Sequence, residues 1–113
     1  MNEIMKEFPP TKQNQVTLDN WRTHPYSTWS FSNVRELIPT SEIQNDPSKI
    51  WELRTSQTQN ELVTDQELTD LSVDSVVVVQ KGKIVFETYQ NNMNQNKEHI
   101  LFSVSKSILG LLC

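Results

Sequence analysis

The stretch DSVVVVQKGKIVFETY, Asp74 to Tyr89, constrains the fold more than any other part of the chain. Two runs of β-branched and aromatic residues are joined by Lys81 and Gly82. A two-residue loop between strands needs positive backbone φ angles, which glycine adopts without strain, so the pattern predicts a β-hairpin. The four consecutive valines, Val76 to Val79, lack polar alternation. That is the pattern of a strand covered on both faces. A chain of 113 residues, 35% of them hydrophobic, is at most one small domain and has few apolar residues left to supply both covers. The hairpin therefore asks for more protein than the chain provides.

The flanking segments divide into three. Residues 1–15 are polar and carry the Pro9-Pro10 pair, which predicts an unstructured tail. Residues 16–60 predict an extended, aromatic-rich arm. Trp21, Tyr26, Trp29 and Phe31 are interleaved with Pro25, serines and Asn33 and show no helical period, as in a segment that anchors by burying its rings. Ser32 or Asn33 is placed to cap a short turn through Val34, Leu37 and Ile38, which Pro39 ends. In residues 61–113, Thr64 followed three residues later by Glu67 is a capping-box pattern, and Leu68 and Leu71 fall one turn apart, predicting a helix over 65–71. The stretch NNMNQNKE, Asn91 to Glu98, reads as a polar loop.

Charge narrows the partners. A net charge of -4 with scattered Lys and Arg gives no basic patch, so no nucleic-acid partner is expected. The opening MNEIMKEFPPTKQNQ lacks the basic end and apolar core of a secretory signal, and no run approaches the roughly 20 apolar residues of a membrane span. With one cysteine the chain is expected to be soluble and cytoplasmic, without a membrane partner. Cys113 closes an apolar run and is expected as a buried structural thiol. No Cys/His/Asp spacing suggests a metal, and Gly82 and Gly110 cannot build a phosphate-cradling loop, so no metal or cofactor is expected. His24 and His99 read as packing or hydrogen-bonding residues.

The candidate chemistry lies at the end of the sequence. Ser103 and Lys106 stand three apart at the head of the run Ile108, Leu109, Leu111, Leu112. A helix starting at Ser103 puts hydroxyl and amine on one face. There the serine is a nucleophile in need of a base, and a lysine whose pKa burial has lowered can serve. The helix N-terminus would favour negative charge at Ser103 and at an oxyanion beside it. Ser105 and Ser107 are rival nucleophiles, but Ser105 adjoins Lys106 and projects from a different face. The spacing alone is common: by composition roughly one chain in two or three of this length carries it. As a lone match it reads as a helix cap and a solvent-facing lysine. Its position between a hairpin and an apolar helical run directs the lysine into the protein instead.

The segment HILFSVSKSILGLL, preceded by SVVVVQKGKIVFETY, resembles the start of the serine β-lactamase and penicillin-binding-protein superfamily. The likeness is to the branch with class C β-lactamases, carboxylesterases and 6-aminohexanoate-dimer hydrolases. The arm VTLDNWRTHPYSTWSFSNVRELIPT is similar to the N-terminal region of the last group, so the resemblance spans about residues 16–112. It implies an α/β (mixed α+β) fold with a β-lactamase-like antiparallel sheet flanked by helices. The arm, the first hairpin and the start of the nucleophile helix would represent that fold here. It further implies a cofactor-free serine hydrolase acting on a small-molecule amide, ester or lactam. Ser103 would be acylated, Lys106 would assist proton transfer, and the Ser103 backbone N–H would form half of the oxyanion hole.

The departures from that pattern are specific. The superfamily's second motif, Tyr-x-Asn, and its third, Lys-Thr-Gly or a relative, are absent among the seven residues after Lys106. Tyr89-Gln90-Asn91 matches the second motif in letters but precedes Ser103 on an expected strand and reads as an accident. With a chain that ends within an apolar run, these absences predict an N-terminal fragment that is catalytically silent by itself. Two other readings stay open: a penicillin-binding or sensor-type module that binds without turnover, and a small non-catalytic protein whose Ser-x-x-Lys is coincidental.

Overall fold

The computed structural model describes residues 3–57 and 62–113. The chain is α+β, with short helices α1 (Ser27–Ser30), α2 (Asp65–Asp70) and α3 (Ser105–Leu109) and strands β1 (Arg54–Thr55), β2 (Ser75–Gln80) and β3 (Lys83–Tyr89). It divides into two compact units, Met1–Thr40 with Lys97–Cys113, and Ser41–Asn96. The predicted arm of residues 16–60 is therefore split at Thr40, and its first part joins the end of the chain.

The second unit is built on the hairpin. β2 and β3 pair antiparallel from Ser75↔Tyr89 to Gln80↔Lys83, and β3 carries one extra residue, Val85, where the register passes from Val78↔Phe86 to Val79↔Ile84. Lys81 (φ 49°) and Gly82 (φ 75°) both lie in the left-handed region, the conformation a two-residue hairpin loop demands. β1 adds in parallel to the far side of β3, giving the order β1-β3-β2. The sheet is thus mixed, not the antiparallel one expected.

The valine strand corrects a second expectation. β2 is an edge strand, and Val77 and Val79 are 49% and 47% exposed, while Val76 and Val78 are half-buried. One face of the strand is left uncovered by the described residues of the unit, whose buried apolar side chains are Leu68 and Phe86. Leu68 is carried by α2, which starts as the sequence predicts. The Thr64 Oγ1 accepts from the Glu67 N–H, and the Glu67 carboxylate accepts from the Thr64 N–H at 2.9 Å and from its hydroxyl at 2.8 Å. These bonds satisfy donors that the helix start leaves without partners. Beyond β3, the Gln90 N–H donates to the Asp74 carbonyl, and Asn91 and Asn92 turn the chain through positive φ. Asparagine tolerates that region better than most residues.

In the first unit, the predicted tail is structured over its described residues. The Met5 N–H donates to the Asn14 carbonyl at 2.9 Å, and Ile4 and Val16 are buried. Ile4 lies within the tail and Val16 directly after it. The aromatic segment is a series of turns around α1, not an extended strand. The hydroxyl of Ser30, fully buried, donates to the Trp21 carbonyl. A 3-10 turn over Val34–Glu36 follows, and the Ile38 N–H closes on the Val34 carbonyl just before Pro39, as predicted. Asn33 precedes that turn but does not cap it, because its amide is turned back to donate to the Trp29 carbonyl at 2.7 Å. The end of the chain joins this segment through Ile100 N–H to Phe31 C=O at 2.8 Å and an Arg35–Glu98 ion pair at 3.2 Å. Among the described residues, no helix is long and apolar enough to cross a membrane.

Candidate active site

Ser103 does not begin a helix. It lies in a 3-10 turn, Phe102–Val104, and α3 starts at Ser105 and runs for only five residues. The helix-dipole contribution expected at Ser103 is correspondingly small, since a macrodipole needs aligned peptides. The turn and the helix together still bring the two expected groups to one side. The Lys106 Nζ donates to the Ser103 Oγ at 3.0 Å. Ser105 is engaged elsewhere, its hydroxyl donating to the Phe102 carbonyl at 2.6 Å.

The surroundings differ from expectation. Every residue from Leu101 to Cys113 is exposed, so Lys106 does not point into the body of the unit. Ile108, Leu109, Leu111 and Leu112 are exposed as well: among the described residues of this unit, none covers α3 and the turn after it. Cys113 is a free, exposed thiol, not a buried one. Apolar sequence predicts burial only where a partner surface exists.

A feature the sequence did not announce stands next to Ser103. Phe102 has φ 46°, a left-handed conformation that is a steric outlier for a bulky residue. Its ring stacks on Trp21 with centroids 6.3 Å apart and meets Phe31 edge-on at 5.2 Å. Trp21 and Phe31 also meet edge-on at 6.2 Å, and His99 packs against Phe31 at 5.9 Å. The packing role expected of Trp21, Phe31 and His99 is thus directed at the residue before the candidate nucleophile. His99 also makes a 2.8 Å hydrogen bond from Nδ1 to the Ile100 carbonyl, whereas His24 is exposed.

Burial and hydrogen bonds shift Tyr89, Glu67 and Asp46. Tyr89 on β3 is pushed up, first by burial and then by the Glu87 carboxylate, which its hydroxyl approaches at 3.5 Å. Glu67 is held below the usual range by the hydrogen bonds from Thr64, and Asp46 by those from Ser48. Among the described residues no three His, Cys, Asp or Glu side chains gather as metal ligands would.

The chain is 29% identical over 107 residues to the 6-aminohexanoate-dimer hydrolase of Paenarthrobacter ureafaciens. The chain is similar to part of a hydrolase. The aligned region takes in 91% of this chain and 27% of that protein, so the chain spans about a quarter of the length of the relative it matches. No protein-family model and no solved structure matches. The α+β architecture with a mixed three-stranded sheet is compatible with a fragment of a β-lactamase-like fold.

Proposed function

We propose that the chain is the N-terminal part of a serine hydrolase that cleaves amide or ester bonds of small molecules through an acyl-enzyme on Ser103. The observation that carries this reading is the 3.0 Å contact between the Lys106 Nζ and the Ser103 Oγ. That distance serves a proton moving in either direction. With the amine neutral, the Ser103 oxygen attacks the substrate carbonyl while its proton passes to Lys106. The same proton then goes to the leaving amine or alcohol as the tetrahedral adduct collapses. Water subsequently releases the acid and restores the serine. The relative's name makes a 6-aminohexanoate dimer, and amides of that kind, the first substrates to try.

The chain alone supplies nucleophile and base, and catalysis needs more. Preorganised donors to the developing oxyanion, and a site closed to water, account for much of the rate in acyl transfer. Ser103 and Lys106 stand in solvent. The 113-residue chain is therefore expected to react stoichiometrically and slowly with an activated reagent, with negligible turnover of p-nitrophenyl acetate. Robust Ser103-dependent turnover by this chain would refute the fragment reading. A stable acyl adduct with a penicillin, persisting for hours, would move the assignment from hydrolase to binding module.

A further inference from the structure

We infer that the free edge of β2 is a self-association surface: two copies of the chain join edge to edge and antiparallel, with Val77 on the two-fold axis. β2 closes one side of the sheet and is six residues long, SVVVVQ, with no charged residue and no proline. Folded proteins usually blunt such an edge with charges, proline, a bulge or a very short strand. The opposite edge follows that rule, because β1 has two residues and one of them is Arg54. The free groups of β2 are located by its register. The Gln90 N–H donates to the Asp74 carbonyl at 2.7 Å, so the backbone of Asp74 faces β3. These groups alternate along a strand, so Val76 and Val78 also face β3, while Ser75, Val77 and Val79 turn theirs out of the sheet. Among the described residues none bonds to them. The same three residues are exposed, Val77 by 49% and Val79 by 47%. A strand added here gains hydrogen bonds and covers valines at once.

Charge selects the occupant and its direction. Asp74 precedes β2, and Lys81 and Lys83 follow it. A second β2 laid antiparallel brings the acidic start of each copy beside the basic end of the other, whereas a parallel copy sets like beside like. Opposed residues of an antiparallel pair share a face, so the exposed valines come together when Val77 lies opposite Val77, with Ser75 opposite Val79 on either side. The contact is then two-fold and isologous. A single strand pair belongs to the weak class of interface, below about 1,200 Å², so the dimer forms in proportion to concentration. Neither Ser103 nor Lys106 takes part, and the pairing stands apart from the proposed chemistry.

The test follows the 113-residue chain by sedimentation velocity and by NMR amide exchange from about 10 μM to 1 mM. The expected result is a monomer–dimer equilibrium in which the amides of Ser75, Val77 and Val79 exchange at least about fivefold more slowly as the dimer fills, while those of Val76 and Val78 are protected by β3 throughout. Val77→Lys sets two ammonium groups opposite each other at the axis and should weaken association about tenfold. Its site is exposed, so the urea midpoint should stay close to that of the wild type. Asp74→Lys and Lys81→Asp should each weaken association severalfold and together restore most of it. The two positions lie on the order of 20 Å apart along one strand and meet only between copies. A chain that is monomeric at about 1 mM overturns the inference. A dimer indifferent to Val77→Lys does so too, and assigns association to another surface, such as the leucines after Lys106. Edge amides protected equally at every concentration overturn it in favour of a segment of the same chain, and a charge swap that restores nothing overturns the antiparallel pairing.

Discussion

Replacing Thr64 by alanine gives a sharp test of how the sheet unit is held. The Thr64 hydroxyl takes part in two of the three bonds of the capping box: it accepts from the Glu67 N–H at 3.3 Å and donates to the Glu67 carboxylate at 2.8 Å. The third, from the Thr64 N–H to the same carboxylate at 2.9 Å, survives the substitution because it uses backbone. The 3.3 Å bond is long and the site is exposed, which argues for the middle of the range measured for cap removal, about 1 kcal/mol. That loss matters because α2 carries Leu68, 3% exposed, whose carbonyl accepts the Val73 N–H at the entry to β2. Urea unfolding followed by circular dichroism reads it as a lowered midpoint at unchanged slope. Thr64→Ser keeps the hydroxyl and should retain most of the stability. Equal stability of the alanine variant, or equal loss in the serine variant, would refute the argument.

The same box fixes the sign of a pH effect. Glu67 titrates lower in the folded chain than its ordinary value of 4.5, chiefly through its hydrogen bonds from Thr64. Its contribution is therefore fully present above that value and is lost as pH falls through the folded pKa. Stability measured from pH 6 downward should decline across that window in the wild type and less steeply in Glu67→Gln. Gly82→Ala meets no atom within 4 Å of the added Cβ, so its cost is that of φ 75° alone, about 1 kcal/mol in the same unfolding assay. Lys106→Met should leave stability within about 0.5 kcal/mol, the pair being exposed, and slow fluorophosphonate labelling of Ser103 by about a hundredfold or more. Lys106→Arg should be as slow, since a guanidinium does not deprotonate.

What could be read in the sequence was what neighbouring residues decide among themselves. The capping box of Thr64 and Glu67, the left-handed Lys81-Gly82 loop and the stop at Pro39 all depend on a few adjacent residues, and they stand where the pattern put them. The Ser103–Lys106 contact is legible for the same reason, being one turn of chain. What the sequence misjudged depends on what lies opposite. Valines at 77 and 79, the leucines after Lys106 and Cys113 were expected inside, and all are exposed because, among the described residues, no surface of their unit faces them. Residues 3–15 went the other way, Ile4 being buried within a polar stretch. The left-handed Phe102 had no local sign, since the rings of Trp21 and Phe31 that meet it come from the other end of the chain.

The most direct test of the central claim is to treat the 113-residue chain with a fluorophosphonate and map the modified residue by peptide mass spectrometry, beside Ser103→Ala and Lys106→Met. The account predicts one adduct, on Ser103, absent from Ser103→Ala and strongly slowed in Lys106→Met. Modification spread over Ser105, Ser107 and other serines, or a Ser103 no more reactive than they are, would contradict it.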